Sequence, residues 1–178
     1  LQMQESSPLL HAIIVMGVSG SGKSSLAAAL AERIKWRFFE GDHFHPSENV
    51  DKMSRGVPLT DDDRWVWLKA IRDCIKMNGR GSVVACSALR RVYRDVLRDI
   101  EGRCLFLLIN VDRSELEHRL SSRVSHYMPP SLLPSQLALL EVPDPSAESD
   151  SIVLDGRQSV EELLEQTLSI LQDQGVIW

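Results

Sequence analysis

Gly17-Val18-Ser19-Gly20-Ser21-Gly22-Lys23-Ser24 carries the spacing G-x-x-x-x-G-K-[ST] in full. The apolar run Ile13-Ile14-Val15-Met16 precedes it and reads as a buried strand. Leu26, Leu30 and Ile34 follow at helical spacing, among Ala27, Ala28, Ala29 and Ala31. Strand, glycine-rich turn and helix are the context in which such a loop wraps a polyphosphate. Its glycines let the backbone approach closely with N–H groups pointing inward, and the helix start adds the favourable end of its dipole. The spacing assigns Lys23 to the β- and γ-phosphates and the Ser24 hydroxyl to Mg²⁺, with Gly17, Ser19, Gly20, Ser21, Gly22 and Ser25 completing the nucleotide site. The loop specifies a nucleoside triphosphate and leaves the phosphoryl acceptor open.

Working outward, apolar strand candidates recur at His11–Met16, Arg37–Glu40, Ser82–Cys86, Cys104–Val111 and Ser151–Leu154, with helical patterns between them. This rhythm predicts an α/β protein with a parallel five-stranded sheet and helices on both faces. Thr60 with Asp63, Asp112 with Glu115, and Ser159 with Glu162 have the spacing of a helix cap and its acidic partner. Trp67, Leu68, Ile71, Cys74 and Ile75 share one helical face and read as core. Leu1–Pro8 is expected to be a disordered lead, with 9–178 as a single domain. Two stretches break the rhythm: about 41–63, rich in charge, and about 123–147, which contains Pro129, Pro130, Pro134, Pro143 and Pro145. Insertions after strands of an open sheet are where an acceptor site and a lid belong. Leu132, Leu133, Gln136, Leu137 and Leu140 predict a short amphipathic helix in the second stretch, beginning near Ser131.

The chain has 178 residues, 43% hydrophobic and 25% charged, which is ordinary for a globular domain. Its net charge of −5 argues against a broad nucleic-acid or acidic-membrane surface. No apolar run reaches transmembrane length. Cys74, Cys86 and Cys104 lack zinc-ligand spacing and read as reduced core residues.

A second stretch carries chemistry. Glu40-Gly41-Asp42-His43-Phe44-His45-Pro46 follows the second strand, which puts Asp42 at the carboxyl end of the sheet beside the phosphate loop. A carboxylate there can accept a proton from an acceptor hydroxyl or hold a water on Mg²⁺. His43 and His45 alternate without further ligands and read as a polar loop. Lys52, Arg55 and Arg64 bracket the segment 56–63. They read either as a solvated, salt-bridged helix pair or as a cationic clamp for an anionic substrate.

Together these blocks resemble gluconate kinase. The match runs through Gly17–Ser24, G-D-x-x-H-P at Gly41–Pro46 and K-M-x-x-G-x-P-L-x-D-x-D-R at Lys52–Arg64. It continues through Ala85-Cys86-Ser87-Ala88-Leu89-Arg90 with Tyr93-Arg94-Asp95, then His126-Tyr127, Leu132-Leu133, Ser135-Gln136 and Leu140-Glu141, in the family's order. The resemblance implies a P-loop NTPase of nucleoside-monophosphate-kinase-like fold with a lid. It also implies ATP and Mg²⁺, D-gluconate phosphorylated at its C6 hydroxyl, a cytoplasmic location and a homodimer. On this basis Asp42 orients or deprotonates the acceptor and touches Mg²⁺. Arg64, Lys52, Arg55, His45, Ser87, Arg90 and His126 bind the acceptor, Arg119 stacks on adenine, and Arg123 comes from the lid onto the transferring phosphoryl. The sequence departs from the family at Ser125, where glycine is usual, at Tyr127, where phenylalanine is usual, and in lacking a proline near Ser159. A kinase for another small acid such as shikimate, or a nucleotide-dependent switch, are the alternatives. The chain has no N-K-x-D guanine motif, and its D-x-x-G string at Asp99–Gly102 lies at a helix end.

Overall fold

The computed structural model describes residues 8–122 and 129–178. Five strands form one sheet in the order β2-β3-β1-β4-β5, every pairing parallel. They are β1 (Leu10–Met16), β2 (Arg37–Glu40), β3 (Ser82–Ala85), β4 (Arg103–Asn110) and β5 (Ser151–Asp155). Each lies within a residue or so of the span expected from its apolar run. Ala12 to Met16 of β1 are fully buried, as are Phe106, Leu107 and Leu108 of β4. A parallel sheet covered on both faces requires such unbroken apolar strands rather than alternation.

The helices are α1 (Lys23–Ile34), α2 (Ser47–Ser54), α3 (Asp61–Asn78), α4 (Arg91–Arg98), α5 (Arg113–Ser121), α6 (Leu133–Leu139) and α7 (Val160–Asp173). Capping boxes at Thr60/Asp63 and Ser159/Glu162 start α3 and α7 as their spacing predicts. The third expected box does not form. Asp112 precedes α5 without a side-chain cap bond, because Glu115 faces along the helix and pairs with Arg119 at 3.0 Å. The expected lid helix forms as a tight turn at Pro130–Leu132 running into α6. Cys86 and Cys104 are buried, and burial pushes both thiols up to about 12; Cys74 is only half-buried.

β1 lies between β3 and β4, so the chain leaves it once to each side. The carboxyl end of β1 is therefore the switch point of the sheet, where a crevice must open. The phosphate loop, Gly41–Phe44 after β2 and Cys86–Leu89 after β3 all emerge along this edge. Gly17 N–H donates to the Ser87 carbonyl at 3.3 Å, tying two of these loops together.

Candidate active site

Gly22 ends the phosphate loop with φ +92°, and a Cβ there would meet nothing within 4 Å. The glycine is thus required by backbone conformation, and the space beside it is open. Lys23 is buried, at 8% exposure, yet among the described residues no carboxylate or carbonyl partners its ammonium. Among the described residues the buried Ser19 and Ser21 hydroxyls have no hydrogen-bond partner. A buried cation beside unsatisfied donors is costly unless an anion completes the site. These residues therefore fit a polyphosphate. The described residues hold no cluster of three or more His, Cys, Asp or Glu side chains. Half-buried Ser24 at the start of α1 fits a Mg²⁺ whose remaining ligands are phosphate and water oxygens.

Lys23 also lines a pocket with Asp42, His45, Arg64, Trp67, Ser87 and Gln136. Asp42 sits in a short 3₁₀ turn directly after β2. The preceding Gly41 cannot be replaced without rebuilding the turn, since a Cβ there would lie 2.3 Å from the Ala85 carbonyl oxygen. The Gly41 carbonyl accepts from Trp67 Nε1 at 2.8 Å, which pins the turn to α3. Trp67 in turn stacks on His45, ring centroids 4.1 Å apart. Burial, opposed by Asp42 and reinforced by Arg64, pushes His45 down to about 4. The ring is neutral at pH 7. Its Nδ1 lies 3.2 Å from Asn49 Nδ2, which also donates to the Asp63 carbonyl at 2.8 Å. Nδ1 is then the acceptor, and Nε2 carries the proton.

Arg64 is buried at 8% exposure. Its Nη1 donates to the Leu59 carbonyl, and to the Tyr93 hydroxyl at 3.4 Å. Among the described residues its Nε and Nη2 have no hydrogen-bond partner, so that edge of the fork is available to a carboxylate. Behind it, the Tyr93 hydroxyl donates to Asp61, and Arg90 reaches Asp61 at 2.7 Å. The Tyr93 hydroxyl, opposed by burial and then helped by Arg90, holds the Asp61 carboxyl below its usual range.

The other clamp candidates, Lys52 and Arg55, and the acceptor candidate Arg90 are placed elsewhere. Lys52 pairs with Asp63 at 2.8 Å, Arg55 with Asp51 at 3.0 Å on exposed surface, and Arg90 with Asp61 and Glu141. None of the three lines the pocket, because a nearby carboxylate already claims each. Ser87 does line it, on a loop held by unusual backbone. Ala88 has φ +43°, and the fully buried Arg94 donates to the Ala88 carbonyl at 2.8 Å and to Leu89 at 3.2 Å. Arg94 is anchored by Glu148 at 2.7 Å, so a distant ion pair supports the strained turn. Arg119 donates to the carbonyls of Gly20, Ser21 and Gly156, bracing the phosphate loop from outside. Arg123 and His126 lie outside the described residues, as does most of the expected lead. The pocket also contains Trp67, Met53, Leu59, Leu89, Leu132, Ser135 and Gln136. The sequence offered Trp67 as core and Leu132 and Gln136 as members of an amphipathic stripe, while Met53, Leu59, Leu89 and Ser135 entered only within the blocks of the resemblance; nothing in apolar periodicity marks a residue as facing a site.

The model of the shikimate kinase family matches residues 19–172. A gluconokinase of Gluconobacter oxydans is 51% identical over 134 residues, covering 74% of this chain and 75% of its own. The chain belongs to the gluconokinase family. Two solved structures agree in fold. A gluconokinase from Sinorhizobium meliloti has a TM-score of 0.82 at 45% identity, over 92% of this chain and 93% of its own. An unliganded sugar kinase from Janibacter has a TM-score of 0.86 at 43% identity, over 92% and 95%. Membership in the gluconokinase family accounts for a second functional edge beside the phosphate loop, since such kinases need an acceptor pocket as well as a nucleotide cradle.

Proposed function

We propose that the protein transfers the terminal phosphoryl of ATP to the C6 hydroxyl of D-gluconate, giving 6-phospho-D-gluconate and ADP. One observation carries this: a buried Lys23 with no partner among the described residues lines the same pocket as Asp42 and Arg64. The names borne by its relatives support gluconate as the acceptor. Phosphoryl transfer asks the protein for alignment and charge neutralisation rather than covalent chemistry.

In this reading the phosphate-loop amides and Lys23 hold the phosphates, and Ser24 holds Mg²⁺, which supplies charge neutralisation when bound. Arg64 takes the gluconate carboxylate through Nε and Nη2. His45 Nε2–H and Ser87 bond acceptor hydroxyls, and Asp42 orients the attacking hydroxyl and accepts its proton. Arg119 offers the faces of its guanidinium to adenine, since its hydrogen bonds lie in the guanidinium plane. We further propose that Arg123 and His126 belong to a lid spanning about 123–147, that 41–63 is the acceptor insertion, and that the enzyme is a Mg²⁺-dependent cytoplasmic homodimer. Among the described residues no helix is long and apolar enough to cross a membrane.

The test is a coupled ADP-release assay with gluconate, shikimate, other sugar acids and nucleoside monophosphates. The product is identified by mass and by its position of phosphorylation. Turnover with gluconate at least tenfold above the others is expected; preference for shikimate would overturn the acceptor assignment.

A further inference from the structure

The backbone N–H of Ser19 donates to Gln136 Oε1 at 2.7 Å, across 117 residues of sequence and in a buried setting. One partner belongs to the phosphate loop and the other to α6. Gln136 is itself 8% exposed and lines the pocket shared by Lys23, Asp42 and Arg64. An amide N–H of a phosphate loop exists to meet a phosphoryl oxygen. Here a carboxamide oxygen, neutral but strongly accepting, holds that donor. The Gly17 and Ser21 amides are held by backbone carbonyls, so the Ser19 amide is the loop donor committed to a side chain of α6, while among the described residues the Ser19 and Ser21 hydroxyls remain unsatisfied.

The position of the bond identifies which phosphoryl it concerns. The transferring group must lie in line with the acceptor hydroxyl, at the boundary between nucleotide and acceptor sites. Gln136 lies on that boundary, since it touches the loop and lines the pocket of Asp42 and Arg64. A single N–H makes one linear hydrogen bond, so a terminal phosphoryl oxygen and Gln136 Oε1 compete for it.

We infer that Gln136 is a positioning residue that occupies the terminal phosphoryl's place on the Ser19 amide until ATP arrives. This rests on the nucleotide half of the proposed function. The exchange reaches the acceptor side through packing. Leu132, one turn before Gln136, is buried against Met53 and Leu59 of the 41–63 insertion, while Leu133 is buried in the main core. A terminal phosphoryl that displaces the carboxamide thereby acts on the segment that walls the acceptor pocket. ADP lacks that phosphoryl and leaves the bond in place.

The experiment is calorimetric binding of Mg²⁺ complexes of ADP and of a non-hydrolysable imido analogue of ATP, without gluconate. It uses the full chain, Gln136→Leu and Gln136→Asn. Leucine removes the acceptor at similar volume. Asparagine keeps the polarity but withdraws the oxygen by one methylene, and covers the case in which leucine fails to fold. Removing the competitor should tighten the ATP analogue by about 2–12-fold, the worth of one net hydrogen bond, and leave ADP unchanged. Equal shifts for both nucleotides, no shift, or weaker binding of the analogue in a variant that melts like wild type would overturn the inference. Wild-type protein that binds neither nucleotide would overturn the kinase reading itself, which is a different failure.

Discussion

The phosphate loop and the acceptor wall treat their charges in opposite ways. Around the loop, among the described residues, Lys23 is buried without a partner, and two serine hydroxyls are unsatisfied. Around the acceptor wall, Lys52, Arg55 and Arg90 all have carboxylates at 3.2 Å or less, and among the described residues Arg64 alone of these four has no carboxylate partner. The difference separates cations that await a ligand from cations that brace the wall around one. Exposed ion pairs of the second kind contribute little each, whereas an unpaired buried charge is tolerated only where an anion arrives.

That contrast is open to direct attack. Asp42→Asn keeps shape but removes the proton acceptor, and turnover should fall by about 10²–10⁴ while affinity for the ATP analogue holds; near-native turnover would remove Asp42 from the chemistry. Lys23→Ala should lower turnover by about 10²–10³ in a protein that still melts cooperatively, since a fixed cation against developing phosphate charge is lost. Arg64→Ala should raise the gluconate KM by about 10–100-fold with ATP affinity unchanged, as expected for a charge-assisted pair. Arg55→Ala, by contrast, should change the same constant by less than about twofold. Equal effects at Arg55 and Arg64 in a steady-state titration would abolish the distinction.

The last prediction is read on stability rather than turnover, as a function of pH. His45 titrates near 4 when folded against an ordinary 6.5. Between those values the unfolded chain holds more protons, so stability falls as pH drops through the window, by at most about 3 kcal/mol. His45→Gln should flatten the urea midpoint between pH 6.5 and 4; an unchanged slope would mean the ring is solvated and does not stack on Trp67.

The sheet was legible because β1, β3 and β4 are buried on both faces, and burial of that kind writes unbroken apolar runs into the chain. The phosphate loop was legible because its parts are adjacent in sequence. Asp42 and Arg64 were found through blocks whose spacing reflects local geometry: Gly41 must pass the Ala85 carbonyl, and Thr60 must cap α3. What sequence could not supply was pairing at a distance. Lys52 meets Asp63 11 positions on, and Arg90 meets Asp61 and Glu141 29 and 51 positions away. The three clamp candidates Lys52, Arg55 and Arg64, and the acceptor candidate Arg90, were therefore not sorted until their partners were placed. Gln136 was visible only as one member of an amphipathic stripe, since a glutamine that reaches back 117 residues has no local signature. The missing cap at Asp112 has a local origin instead, since Glu115 pairs with Arg119 one turn on.

Arg119 has a consequence for how the molecule is made. It lies 99 residues after Gly20 and 37 before Gly156, and it bonds the carbonyls of both. A chain emerging from the ribosome delivers its phosphate loop before α5 and the end of β5, and the brace behind that loop needs both. Nucleotide binding stabilises whatever state binds it, and a half-made chain offers a loop whose outer carbonyls are still open to water. Nucleotide bound at the loop is then expected to favour molecules in which β5 has joined the sheet over those in which it has not, so a distant strand bears on when the loop is a site.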